Sequence, residues 1–318
     1  MPEAQDRRWR AGACRRVGSL VSMTDSYAAA AGLVARSAAA YVSGVPQDPA
    51  DDGFFGPGSV TWRISGDLAG PVAGLRALML QALHPLAMAG VDQHSDWRQD
   101  PVGRLAATSA YLSVLSFGEK SLAERAASRV RRIHQRINGL DSVTGRRYAA
   151  DDPDLLLWVH VALVDSELEA RRLLGSPLSP QDGDRYVAEM VVAAELVGVP
   201  RDLVPASVAE LEGYIARVRP ELRCTPAASE SMAYLLDPPG LDFDVAEIWQ
   251  DVRSAAVAAL PGWAREMYGY DEPPPLTQDW QTGIRQALGV LDAVYLGEPG
   301  VLEARQRITL RVRAARRG

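Results

Sequence analysis

The chain has 318 residues, of which 47% are hydrophobic and 23% are charged, so it can bury a sizeable core beneath an ordinary charged surface. Its net charge of −6 argues against nucleic-acid binding as the main function, because such proteins usually carry a strongly basic face. No apolar run reaches the roughly 20 residues that a membrane-spanning helix needs. Composition therefore disfavours both a nucleic-acid-binding and a transmembrane protein.

The first residues of the chain and its two cysteines suggest where in the cell the protein is found. Cys14 and Cys224 cannot build a disulfide framework, and they suit a reducing compartment. We interpret residues 1–22, which hold five arginines and precede Met23, as a disordered leader. The predicted location is cytoplasmic, and the alternative is export directed by Arg15 and Arg16 as a twin-arginine-like signal.

The first element in chain order is a loop over Asp51–Asp67, which contains four glycines and one proline. Glycine and proline in this density indicate tight turns. We predict a structured loop with a short strand at Val60–Ile64. Phe54, Phe55 and Trp62 predict that this loop packs against the core.

The rest of the chain has a helical pattern. Apolar residues recur at spacings of three and four, and strong helix formers dominate. We predict one all-α domain over residues 23–318 with about ten helices, bounded by proline and glycine. The predicted helices are Pro71–Ala89, Pro101–Leu115 with Asp100 as N-cap, Glu119–Asn138 ended by Gly139, Asp152–Leu174, Pro180–Val197, Ser207–Val218, Phe243–Ala258, Leu276–Tyr295 and Leu302–Arg316.

All four histidines fall in one part of the chain, at His84, His94, His134 and His160. Imidazole ligates metals and haem iron, and it titrates near neutral pH. His84 and His94 bracket the end of a predicted helix. A metal-dependent hydrolase built on them would need an Asp from another element, because no single helix carries a metal-binding spacing.

Arg104 and Thr108 lie one helical turn apart on a largely apolar helix face. A long cation in such a place needs an anionic partner, because an unpaired buried charge is costly. A haem propionate, a phosphate or a carboxylate would serve. The alternative is an internal salt bridge to an Asp or Glu.

Two histidines sit on predicted helices. His134 lies on the apolar edge of an arginine-rich helix, where it is either a haem ligand or a core histidine bonded to the backbone. His160 lies in the apolar run LLLWVHVALV, so it is buried and must find a hydrogen bond. It either lines a pocket or belongs to the core.

The order of these pieces resembles one known family. Residues 53–205 are similar to the latex-clearing rubber oxygenases and the mycophenolic-acid-pathway oxygenase, the MpaB-type oxygenases. The matching segments are GPGSVTWRISGD at Gly56–Asp67, GLRALMLQALHPLAMAGVDQHS at Gly74–Ser95, DPVGRLAAT at Asp100–Thr108, VRRIH at Val130–His134 and DDPDLLLWVH at Asp151–His160.

This resemblance implies a globin-like helical arrangement around haem b, with His134 as the iron ligand. The family's Arg-x-x-x-Thr motif falls on Arg104, which would anchor the haem or its surroundings, and on Thr108, which would form a hydrogen bond nearby. The family's tryptophan-linked histidine falls on His160. His84 and His94 would lie near the distal side or the mouth of the pocket. The implied reaction is oxidative cleavage of a carbon–carbon double bond with dioxygen.

The chain departs from the rubber oxygenases at two positions. Their distal lysine corresponds to Ala107, and the residue nearest to their proposed catalytic glutamate is Met88, with Asp92 and Asp96 as the nearby acids. We therefore expect a smaller lipophilic substrate in place of polyisoprene. The alternative function is a haem-free helical protein, derived from that family, that binds a lipophilic ligand or a partner.

Overall fold

A computed structural model of the chain describes residues 51–65, 69–99, 101–238, 243–270, 272–273 and 284. Within them it contains eleven α-helices and one β-hairpin, which confirms the predicted all-α fold. Two single 3₁₀ turns flank the eighth helix. The elements are α1 Val60–Ile64, α2 Gly70–Ala82, α3 Pro85–His94, α4 Pro101–Phe117, α5 Lys120–His134, β1 Asn138–Leu140, β2 Arg147–Ala149, α6 Pro153–Leu173, α7 Pro180–Val197, α8 Val208–Val218, α9 Pro226–Leu236, α10 Phe243–Ala259 and α11 Gly262–Met267.

Most of the helices predicted within the described ranges are confirmed. The predictions for α4, α6, α7, α8 and α10 agree with the structure to within two residues, and Asp152, Ser179 and Ser207 cap the starts of α6, α7 and α8. The helices α9 and α11 were not predicted. The predicted leader, the Asp100 cap and the helix Leu302–Arg316 lie outside the described residues, as does the helix Leu276–Tyr295 except for Ile284.

The core is built where α2 packs against α6 and α10 packs against both. Arg76 of α2 is only 2% exposed and joins the three helices. Its guanidinium lies 2.7 Å from the Asp165 carboxylate and donates to Ser166 Oγ at 2.7 Å and to the Ala259 carbonyl at 2.8 Å. Each of the three guanidinium nitrogens therefore has an acceptor, as a buried charge requires.

The predicted helix Pro71–Ala89 is wrong as a single element, because the chain bends by 103° between α2 and α3. His84 precedes Pro85, whose ring disfavours helical backbone at the residue before it, and His84 is extended with φ −82° and ψ 113°. Its Nδ1 accepts the Ala87 N–H at 3.4 Å as an N-cap. Among the described residues no single helix is long and apolar enough to span a membrane, although α2 and α3 together meet those criteria across their bend.

The predicted strand Val60–Ile64 is also wrong, because this segment is the helix α1. Ser59 caps it, and Glu189 of α7 accepts the N–H groups of Val60 and Thr61 at 3.1 and 2.8 Å. A carboxylate at a helix N-terminus satisfies free N–H groups and complements the helix dipole. The loop does pack on the core, as predicted, since Trp62 is 8% exposed.

The predicted helix Glu119–Asn138 ends early, at His134, and a hairpin follows it. Gly139 is therefore not a helix cap but part of β1, opposite Tyr148. A Cβ at Gly139 would lie 2.6 Å from Tyr148 Oη, so the close approach of this phenol requires glycine there. Gly145, with φ 69°, shapes the turn that the sequence pattern did not reveal.

Candidate functional site

A cavity of about 250 Å³ lies among α2, α3, the hairpin, α6 and α9. Its wall is mostly apolar, formed by side chains such as Leu78, Met88, Ile137, Leu155 and Leu156. The cavity reaches the surface, because Val159 on its lining is 39% exposed. The wall residues with polar side-chain atoms are Gln81, His94, Ser95, Trp97, Thr108, His134, Tyr148, Ser231 and Tyr234.

His134 lines this cavity from the last residue of α5. Its Nδ1 is buried and has no hydrogen-bond partner among the described residues. Burial lowers the pKa of the imidazole, and the Asp151 carboxylate opposes that shift only in part. At neutral pH the ring is therefore neutral, and a neutral imidazole carries one nitrogen lone pair that can ligate a metal.

Thr108 also lines the cavity, from α4, which packs against α5. The structure therefore brings together three members of the predicted set, Thr108, His134 and His94, around one cavity. The backbone of α4 places Arg104 one turn before Thr108, while the Arg104 side chain lies outside the described part of the chain. Ala107, beside Thr108, is exposed. Its methyl side chain offers no polar group at this position.

His94 and His84 lie at opposite ends of α3 and differ in their surroundings. His94 is exposed on the cavity lining, and its Nε2 lies 3.2 Å from the Asn138 carbonyl oxygen. His84 is buried and is not part of the lining. Its burial lowers the pKa of its imidazole. The structure thus places His94 at the cavity mouth and His84 in the fold as a helix cap.

His160 lies on α6 and does not line the cavity. It is 8% exposed, and burial lowers its pKa to about 4. Leu156, one turn earlier on the same helix, does line the cavity. His160 therefore stands behind the wall, within the core.

The sequence did not lead us to predict the aromatic residues of the cavity wall. Trp97 and Tyr234 line the cavity, with ring centroids 5.4 Å apart in an edge-on arrangement. Tyr148 lines it as well and donates its hydroxyl to Gln93 Oε1 at 2.7 Å. Trp97 stands in a polar segment, and tryptophan is on average highly buried. This was the one sequence feature that could have predicted a packed role for Trp97.

The structure accounts for Asp92 and Met88, and it bears on the possible metal site. Asp92 pairs with Arg98 at 2.7 Å, and Met88, 2% exposed, forms part of the apolar wall. Among the described residues no group of three His, Cys, Asp or Glu side chains could hold a metal ion. A hydrolase built on His84, His94 and an Asp therefore has no support in this part of the chain.

A comparison with protein families identifies the chain. Residues 62–293 match the model of the family described as ER-bound oxygenase mpaB/B'/rubber oxygenase, catalytic domain. The chain belongs to this family. The match confirms the predicted family and supports oxygenase activity in general. No curated protein and no solved structure matched the chain.

Proposed function

We propose that this member of the mpaB/rubber oxygenase family is a haem b-dependent oxygenase that oxidises a small lipophilic molecule in the cavity. His134 is the proposed iron ligand. The observation that carries the proposal is the buried Nδ1 of His134, which lies on a mostly apolar wall and lacks a partner among the described residues. Buried polar groups in proteins are nearly always satisfied, so this nitrogen points to a bound group that completes its surroundings.

The chemistry of the cavity fits a porphyrin. The macrocycle is apolar on both faces, and the wall is predominantly aliphatic and aromatic. The lowered pKa of His134 keeps its imidazole in the ligating form. The volume of about 250 Å³ is below the ~300–1,000 Å³ of pockets that take drug-sized molecules. Haem and substrate together would therefore extend into the open side of the cavity.

Each predicted residue has a role in this proposal. Arg104 and Thr108, one turn apart on α4, are proposed to bind the negatively charged edge of the haem. His94, at the mouth, is proposed to contact the entering substrate, while His84 fixes the start of α3, and His160 supports the wall from α6. Bound haem iron supplies the activation of dioxygen, and oxidative cleavage of a carbon–carbon double bond is the proposed reaction.

The substrate is proposed to be a small, unsaturated, lipophilic molecule. Met88 and the leucines on the wall offer apolar contacts, and they exclude water from the reacting atoms. A cavity of this size cannot enclose a long polymer. Polyisoprene is therefore not the proposed substrate.

Haem titration of the purified protein tests the proposal. We expect a Soret band that saturates at one haem per chain and is lost in His134→Ala. Gln135→Ala, at the exposed neighbouring residue, is the matched control and should keep the band. If the wild-type protein gives no Soret band, the proposal is wrong.

The alternative is a haem-free protein that binds a lipophilic ligand. The observation that favours it is the modest cavity volume, which suits a small apolar molecule without a macrocycle. The same titration separates the two functions. A wild-type protein that binds apolar molecules but no haem would establish the alternative.

A further inference from the structure

Trp97 is a second residue of the cavity wall with a buried polar atom that lacks a partner among the described residues. The indole is 4% exposed, and its Nε1–H has no hydrogen-bond acceptor among the described residues. Trp97 lines the cavity from the segment that follows α3. An indole N–H can only donate, and an oxygen atom of a molecule in the cavity would supply the missing acceptor.

The indole is held firmly in this position. The guanidinium of Arg98 lies over the Trp97 ring, 4.2 Å from its centroid. Arg98 is itself fixed by Asp92 of α3 at 2.7 Å and by two hydrogen bonds to Glu230 of α9, at 2.8 and 2.7 Å. The ring of Tyr234 meets the indole edge-on at 5.4 Å. Rotation of the indole would lose both the stacking with Arg98 and the edge-on contact with Tyr234.

We propose that the Trp97 Nε1–H donates a hydrogen bond to an oxygen atom of the ligand. The ligand class follows: a mainly apolar molecule that carries a carbonyl or hydroxyl oxygen on the side that meets α3 and α9. Apolar contacts along the wall supply affinity, and the hydrogen bond from Trp97 contributes to the orientation of the ligand. The inference rests on the proposed function only in taking this cavity as the substrate site.

Trp62 provides a matched control within the same chain. Its Nε1 is also buried and unpartnered among the described residues, and its ring packs edge-on against Phe117 at 5.3 Å. Trp62 does not line the cavity. Replacing either tryptophan with phenylalanine removes the N–H and keeps an aromatic ring. Only the Trp97 replacement should change the recognition of an oxygen atom.

The experiment compares two probes of nearly the same shape, acetophenone and isopropylbenzene. Their dissociation constants are measured by calorimetry on the protein as purified, with its haem content recorded. We expect the wild-type protein to prefer the ketone, and Trp97→Phe to reduce that preference about fivefold to tenfold, the worth of one hydrogen bond. Trp62→Phe should leave the preference unchanged.

An NMR measurement on the wild-type protein tests the inference without relying on the folding of a variant. In a ¹H–¹⁵N spectrum, one of the seven tryptophan indole signals should move downfield with acetophenone but not with isopropylbenzene. An equal preference in wild type and Trp97→Phe, an unshifted indole signal, or no binding of either probe would overturn the inference. Haem binding without ketone recognition would refute this inference alone, and ketone recognition without haem binding would refute only the proposed function.

Discussion

Two buried regions of this molecule differ in whether their polar groups have hydrogen-bond partners. In the core between α2, α6 and α10, the Arg76 guanidinium has a carboxylate, a hydroxyl and a carbonyl within 2.8 Å. On the cavity wall, His134 Nδ1 and Trp97 Nε1 are buried without partners among the described residues. A satisfied group is explained by the fold that surrounds it. An unsatisfied group on a cavity wall is best explained by a ligand.

The largest expected effect comes from breaking the satisfied region. Arg76→Met removes the buried charge and leaves Asp165 and the Ala259 carbonyl without their donor, so we expect the free energy of unfolding to fall by about 3–5 kcal/mol. Urea denaturation measures this change. Arg63→Met is the control, because the Arg63 pair with Asp182 is exposed and should contribute less than about 1 kcal/mol. Equal losses in the two variants would contradict the assigned difference between core and surface.

The buried histidine behind the wall should make stability depend on pH. Because burial lowers the pKa of His160 to about 4, below its ordinary value of 6.5, folding favours the neutral ring. Its contribution is complete above pH 6.5 and is lost as the pH falls towards 4. Between pH 6.5 and 5 this single ring should cost about 2 kcal/mol of unfolding free energy.

His160→Gln isolates that contribution. The variant should show a shallower fall in stability than the wild-type protein over the same pH interval, as measured by urea denaturation. The difference between the two proteins at pH 8 gives the packing cost alone. Parallel pH profiles would show that His160 does not titrate in this range in the unfolding equilibrium.

A smaller effect is expected at the hairpin that borders the cavity. In Gly139→Ala the new Cβ would lie 2.6 Å from Tyr148 Oη and 2.9 Å from Gln93 Oε1, so the phenol must move. We expect a loss of about 1–2 kcal/mol in thermal or urea unfolding. Gly74→Ala in α2, where a Cβ meets no atom within 4 Å, should be neutral or stabilising. A stable Gly139→Ala protein would mean that Tyr148 is not held against β1.

The sequence allowed the helices to be predicted better than their breaks. The helices α6 and α7 were found because proline, a capping residue and apolar spacing agree in each. The break at His84 was missed because an apolar run continues across Pro85. The strand at Val60–Ile64 was wrongly predicted because the capping carboxylate, Glu189, comes from a distant part of the chain.

The site was predicted only in part, because some of its residues are recognisable only from contacts with distant parts of the chain. Thr108 and His134 were identified through the family resemblance, and both line the cavity. Trp97 was missed because its significance depends on α9, which brings Glu230 and Tyr234 beside it. Contacts between residues far apart in sequence leave no local pattern to read.

The central claim is that the His134 imidazole ligates haem iron, and chemical rescue tests it most directly. His134→Gly is titrated with haem, with and without added imidazole, and the Soret and reduced-state spectra are recorded beside the wild-type protein. We predict a wild-type spectrum of an imidazole-ligated haem, its loss in the variant, and its return when imidazole fills the vacated position. Identical spectra in the wild-type protein and the variant without imidazole would contradict the account.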